Sequence, residues 1–285
     1  MTALGSTARL AGRDVARIGF GALQLERTDV PRETLYPVLH AALDGGVNHL
    51  DTAHFYGAAN DVIREALHPY PDDLVLVTKV GANRRDGALV AAQQPAELRA
   101  QVEENLATLG VERVDVVNLR RIDAPPGIIA EGDQIVDLDD QLAELISLRE
   151  QGKIGAIGLS NVSADQLRHA LPAGITCVQN NYNLLDRTAE PVLDLCREHD
   201  LAWVPFFALG ARYPGFPQVT EDPVVQEIAQ DLGGTPAQVG LAWQLANYEG
   251  TLLIQGTTSL EHLAENLAVA KIELPAAALD RLSSR

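Results

Sequence analysis

Positive charge is the scarcest resource of this chain: 22 Lys and Arg stand against 39 Asp and Glu, for a formal net charge of −17. A surface of that sign repels nucleic acid and anionic membranes, which removes both as partners. Cysteine is nearly absent as well. Cys177 lies in an apolar run and Cys196 in PVLDLCREH, and neither has a CxxC or Cys/His spacing. That excludes a disulfide framework and a metal site, and leaves two reduced core thiols. No apolar run approaches the length of a membrane span, and the opening MTALGSTARLAGRD lacks an apolar signal core. No low-complexity tract, basic cluster or linker divides the sequence. The expectation is one domain over residues 1–285, placed in the cytoplasm, with a monomer sufficient for everything read so far.

What is present is a regular alternation. Short apolar runs fall at Arg17–Phe20, Asn48–Asp51, Leu74–Lys79, Val114–Leu119, Ala156–Leu159, Cys177–Gln179, Ala202–Phe206 and Leu252–Ile254. Amphipathic stretches such as ETLYPVLHAALDGG and AELRAQVEENLATLG separate them. Gly110 and Gly152 stop two of these, and Thr235-Pro236 opens another as an N-cap and first helical residue. Strands alternating with helices give a parallel sheet, and eight such units fit a (β/α)₈ TIM barrel. The first residues, ARLAGRDVARIGFG, read as a β-hairpin closing the barrel floor. GFGALQ carries only a GxG, which is weak support for the rival doubly wound fold. Two stretches, Asp123–Asp137 and Gly210–Asp222, are too long and too rich in Pro and Gly for tight turns. Loops of that length inside compact domains are usually functional.

The strands end in polar residues able to donate, titrate or carry charge: Asp51, Lys79, Ser160-Asn161 and Gln179. In a barrel of this kind such ends converge on one rim. Lysine ending an apolar strand is unusual, because lysine is seldom buried without a partner. Asp51 near Lys79 would hold the ammonium, and the ammonium near Tyr56 would favour the phenolate and equip the phenol for proton transfer at a carbonyl oxygen. The bland alternative is that Tyr, Lys and Asp are surface or packing residues. Ser160, Asn161 and Gln179 could bracket a planar carboxamide; an Asn after a strand is otherwise a turn residue. In IQGTTSLEHLAEN, Gly256 permits close approach and Thr257–Ser259 dress a helix N-terminus suited to phosphate, or simply cap the helix. His54 borders the same rim, whereas His49, Trp203 and Trp243 read as packing residues.

Together these motifs resemble the aldo-keto reductases over nearly the whole chain. The matching residues are Asp51, Tyr56 and Lys79, GLSN at 158–161, VQNNYNLLDR at 178–187 and GTTSLEHLAEN at 256–266. The resemblance implies a barrel binding NADPH across its C-terminal rim and reducing a small-molecule carbonyl by hydride transfer. It assigns Tyr56 as proton donor, tuned by Lys79 and Asp51. Ser160, Asn161 and Gln179 would hold the nicotinamide, with Phe206 stacked on it and Gly21 close by. Phe207, Leu209 and Gly210 would follow the pyrophosphate, and Gly256, Thr257, Thr258, His262, Glu265 and Asn266 the adenosine end. Where the family usually has a catalytic histidine, this chain has Arg120. Gly256 and His262 stand where many relatives carry Lys and Arg, so NADH is compatible beside NADPH. Ala208 and Gln255 replace frequent prolines. DVVNLR, GFGALQL and VPFF further resemble a bacterial subgroup of pyridoxal reductases, in which arginine is a subgroup trait. Two alternatives accompany that expectation: a reductase of another aldehyde or ketone, and an NADPH-binding regulatory subunit.

Overall fold

The computed structural model describes residues 4–27, 29–211 and 216–285. The chain begins as a hairpin, β1 (Thr7–Leu10) paired antiparallel with β2 (Arg13–Ala16). Then come β3 (Phe20–Gly21), β4 (His49–Asp51) and β5 (Val75–Val80). A second hairpin follows, β6 (Ala82–Arg85) with β7 (Ala88–Ala91). The remaining strands are β8 (Val114–Arg120), β9 (Ile154–Ser160), β10 (Ile175–Gln179) and β11 (Ala202–Trp203). Outside the hairpins all seven strands run parallel, in the order β3-β4-β5-β8-β9-β10-β11.

Residues 251–254 close the circle. Thr251 bridges Trp203, and Leu253 bridges Ile18, both in parallel sense. The Leu253 amide donates to Arg17 O, and its carbonyl accepts from the Gly19 amide, each at 2.8 Å. The fold is therefore the expected (β/α)₈ barrel. Its strands are covered on both faces, which is why β5 is buried at every position rather than at alternate ones.

Helices α1 (Tyr36–Asp44), α2 (Ala59–Leu67), α3 (Pro95–Leu109), α4 (Leu138–Glu150), α5 (Ala164–Ala170) and α6 (Glu190–Glu198) form much of the outer ring. Completing it are α7 (Pro223–Leu232), α8 (Pro236–Asn247), α9 (Leu260–Ala268) and α10 (Ala276–Ser283). Two expected helix signals hold in detail. Gly110 ends α3 with φ +70°, and Thr235 caps α8 in a capping box with Gln238. Among the described residues, no helix is long and apolar enough to cross a membrane.

The floor is sealed as the first residues suggest. Leu10 and Val15 of the hairpin pack inside the barrel on Val75, Val77, Val116, Cys177 and Leu252. Asn48 and Thr176, at the starts of strands, accept from the Ala16 and Ala11 amides at 2.8 and 3.0 Å. Both cysteines are buried thiols, and burial pushes Cys196 up to about 12. Trp203 and Trp243 are core residues, packed against Tyr182 at 5.7 and 5.9 Å between ring centres.

The seventh strand is shorter than the expected Ala202–Phe206. The ladder stops at Trp203, an isolated bridge joins Phe206 to Asn181, and Phe207 turns the chain away with φ +53°. The hairpin β6–β7 stands in a stretch with no assigned element. Its sequence signal was present: Asp86-Gly87 is the turn, both residues at positive φ, in the manner of a two-residue hairpin loop. Of the two long loops, 121–137 holds only one 3₁₀ turn, Gly132–Gln134, and residues 212–215 of the other lie outside the described residues.

Candidate active site

Three strand ends build the centre of the rim. Asp51 ends β4, Lys79 lies near the end of β5, and Gln179 ends β10. All three are buried, and their side chains meet. Lys79 Nζ pairs with Asp51 Oδ1 and donates to Thr52 O at 2.9 Å. Gln179 Nε2 donates to Asp51 Oδ2 at 2.5 Å. Both carboxylate oxygens are thus engaged. Burial works to strip the Lys79 ammonium of its proton, but the charge and hydrogen bonds of Asp51 and Tyr56 outweigh it and hold the group above its ordinary value. The ammonium lies 4.8 Å from the centre of the Tyr56 ring. Tyr56 is half-buried, braced edge-on by Phe55 at 5.3 Å, so its ring is fixed while it still meets solvent. This arrangement can deliver or accept a proton at a phenol next to a fixed positive charge.

Arg120 ends β8 and pairs in register with Ser160, the last residue of β9. Its guanidinium lies 5.5 Å from the Phe206 ring centre and donates to Pro126 O at 3.2 Å. The structure therefore brings Arg120 and Phe206 together, a contact invisible in the sequence.

The amides divide their work. Ser160 Oγ and Gln179 Oε1 are buried without a hydrogen-bond partner among the described residues. Asn161 sits at φ +58°, a conformation asparagine tolerates, and its Nδ2 donates to Arg121 O and Ala124 O at 3.2 and 2.8 Å. Only its Oδ1 is left for a ligand. The glycine in GLSN has a steric cause. A Cβ on Gly158 would lie 2.0 Å from Asn118 Oδ1 and 2.6 Å from Cys177 Sγ, inside the barrel below the site.

Gly21 and Gly256 also prove to be neighbours. A Cβ on Gly21 would meet Ile254 O at 2.2 Å, and one on Gly256 would meet Gly21 O at 2.1 Å. Both glycines let the first strand and the closing segment touch backbone to backbone. Gly210, at φ +99°, turns the chain so tightly that a Cβ would strike Pro217 O at 2.4 Å. Phe207 O accepts from the Gly210 amide at 2.8 Å, and Leu209 O accepts from Val219 N at 3.0 Å, so this segment is a folded turn on the rim.

At the far end, Ser259 caps α9, accepting from the His262 amide at 3.4 Å. Thr257 is buried, and its Oγ1 accepts from Ser259 N at 3.0 Å. Both hydroxyl oxygens accept from backbone amides of the helix start, which leaves each O–H free to donate. Thr258 is half-buried and His262 exposed; Glu265 and Asn266 are half-buried, with Glu265 O held by Gln238 Nε2 at 3.0 Å.

His54 is a correction. It does not open onto the rim. Its side chain is almost wholly buried, bonded to Asn83 of β6, with Nε2 3.7 Å from Glu104 of α3. Burial lowers its proton affinity, against the pull of Glu104 and Asn83. Sequence reasoning also missed the buried glutamines Gln93 and Gln141, which hold the backbone beside Arg120. Polar residues in helical or loop stretches give no sign of burial beforehand.

The profile of the Aldo/keto reductase family matches residues 17–284. The chain is 41% identical over 286 residues to pyridoxine 4-dehydrogenase of Escherichia coli (strain K12), covering 97% of each protein. It is 29% identical to an uncharacterised oxidoreductase of Schizosaccharomyces pombe, over 94% of this chain and 86% of that one. Its fold superposes with a TM-score of 0.82 on an aldo/keto reductase of Klebsiella pneumoniae crystallised with NADP and acetate, at 24% identity over 98% of this chain and 95% of the other. The chain belongs to the aldo/keto reductase family.

Proposed function

We propose that this protein reduces an aldehyde to an alcohol with NADPH, and that its substrate is pyridoxal and its product pyridoxine. The observation that carries the reading is the buried Asp51–Lys79 pair set against Tyr56 at the C-terminal ends of the strands. NADPH, when bound, supplies the hydride. Its nicotinamide carboxamide, one acceptor and one NH₂ donor, suits the unpartnered Ser160 Oγ and Gln179 Oε1 and the remaining Asn161 Oδ1. Phe206 offers an aromatic face in the same region.

The chain's own chemistry is the proton. Tyr56 hydroxyl gives its proton to the carbonyl oxygen as negative charge develops there. Lys79, kept charged by Asp51, stabilises the phenolate left behind. Gln179 holds the second Asp51 oxygen, so the carboxylate cannot rotate away from the lysine.

Arg120 supports the choice of substrate. Pyridoxal carries, next to its aldehyde, a ring hydroxyl that ionises readily. A guanidinium is permanently charged and planar, fitted to pair with such an oxygen while stacked beside a ring. The relative named pyridoxine 4-dehydrogenase supports the same substrate. The test is loss of reduced cofactor, with NADPH and with NADH, for pyridoxal against benzaldehyde and a small aldehyde panel. Pyridoxal turnover is the expected result. No turnover of any carbonyl overturns the enzyme reading, and turnover of all aldehydes except pyridoxal overturns the substrate. In Arg120→His, the rate on pyridoxal should fall more than the rate on benzaldehyde; equal losses remove the pairing.

A further inference from the structure

The polypeptide beside Arg120 is held by a buried chain of amides that takes no part in the proposed chemistry. Gln93 and Gln141 are 1% and 0% exposed. Gln93 Nε2 donates to two carbonyls at once, Gly81 O at 2.5 Å and Arg120 O at 2.8 Å. Gln141 Nε2 donates to Gln93 O at 2.7 Å and to its Oε1 at 3.0 Å. Gln141 Oε1 accepts from Arg121 Nη1 at 2.5 Å. Arg121 in turn donates to Val136 O at 3.0 Å and to Asp123 Oδ2 at 2.8 Å, tying both ends of the 121–137 loop. That loop supplies Pro126 O, the acceptor for the Arg120 guanidinium.

The same chain reaches β5. Gly81 follows that strand at φ +110°, and a Cβ there would stand 2.4 Å from Arg120 O and 2.7 Å from Gln93 Nε2. Gln101 Oε1 accepts the Gly81 amide at 2.8 Å. One glutamine thus fixes the carbonyl of Arg120, and through a second glutamine the loop that fixes its guanidinium. A buried, satisfied network of this kind permits one arrangement of the groups it joins.

We propose that Gln93 and Gln141 are positioning residues for Arg120, and that through it they set the preference for aldehydes bearing an ionised oxygen next to the carbonyl. The inference rests on the role proposed for Arg120. It predicts a loss confined to one class of substrate. Neither glutamine touches Asp51, Tyr56 or Lys79, so plain aldehydes should be reduced as before. A guanidinium displaced by about 1 Å loses much of its directed pairing, so the expected penalty is about tenfold or more.

The experiment compares wild type, Gln93→Met, Arg120→Met and the double variant on pyridoxal, salicylaldehyde and benzaldehyde. Gln93→Met should raise KM for the two hydroxy-aldehydes about tenfold and leave kcat/KM for benzaldehyde within about twofold. In the Arg120→Met background, Gln93→Met should add no further loss, because the residue it positions is gone. Equal losses on all three aldehydes, or fully additive losses in the double variant, overturn the proposal. If Arg120→Met itself fails to discriminate, the Arg120 reading falls and takes this one with it. If Arg120→Met discriminates and Gln93→Met does not, only the positioning role falls. Should Gln93→Met not fold, Gln141→Met removes the same support one residue further out and carries the same expectations.

Discussion

Two buried polar clusters share the rim, and they are built on opposite principles. Around Asp51 the structure joins a carboxylate to an ammonium and an amide. Beside Arg120 it joins backbone carbonyls to neutral glutamines, with the one buried guanidinium, Arg121, answered by Asp123. In the first cluster each partner neutralises the other, so neither can leave without stranding a charge. In the second, loss of either glutamine strands dipoles, while Arg121 keeps its carboxylate partner. The physics therefore predicts a brittle centre at Asp51 and Lys79 and a softer support beside Arg120.

The largest effect should follow Lys79→Met. It leaves Asp51 buried and unpaired, which costs about 3–5 kcal/mol of stability, and the rate should fall by roughly 10²–10⁴ with the loss of the positive charge beside Tyr56. Tyr56→Phe should lose rate on the same scale with little loss of stability. Denaturant unfolding with turnover measurements separates the two. The charge argument is sharpened by Asp51→Asn in the Lys79→Met background: removing the stranded charge should restore stability without restoring rate. A double variant less stable than Lys79→Met alone would break the comparison.

Gln141→Met should sit below that. It leaves buried hydrogen-bonding groups on Gln93 and Arg121 without their partner, at a cost of about 1–3 kcal/mol. The same unfolding measurement checks it. A loss as large as that of Lys79→Met would mean that the amide cluster is as brittle as the ion pair.

The asymmetry also explains what could be read beforehand. Asp51, Lys79 and Gln179 were legible because each ends a strand-like run, and charge at the end of an apolar strand is anomalous against its surroundings. The barrel was legible for the same reason: the alternation of periods is written in side-chain polarity. Gln93 precedes a helix and Gln141 lies on one, where polar residues are ordinary, so nothing marked them as buried. Gly256 was legible as a point of close approach, but Gly158 and Gly21 were legible only as glycines, since the atoms they avoid, Asn118 Oδ1 and Ile254 O, are distant in sequence. The hairpin at 82–91 could have been found from its Asp-Gly turn, but its strand ANRR alternates too weakly to announce itself.

The last expected effect, of about the size given for Gln141→Met, concerns a group that belongs to neither cluster and lies beneath the first. His49 is wholly buried, with both ring nitrogens unpartnered among the described residues, and shares a small interior cavity with Asp51 and Gln179. Burial pushes its value from 6.5 down to about 4. The folded chain thus refuses a proton that the unfolded chain accepts between those two values. Stability from this residue is fully present above pH 6.5 and is lost as pH falls towards 4. By pH 5 the loss should be about 2 kcal/mol. Carboxylates elsewhere also titrate in acid, so the wild-type slope alone decides nothing. His49→Leu keeps those carboxylates and removes the imidazole, so its urea-unfolding stability should fall less between pH 7 and pH 5, by about that amount. Parallel slopes would mean that the imidazole gains a proton inside the barrel without penalty. The region under the Asp51–Lys79 pair would then be as forgiving of charge as the rim beside Arg120, and the contrast between the two clusters would fail at its base.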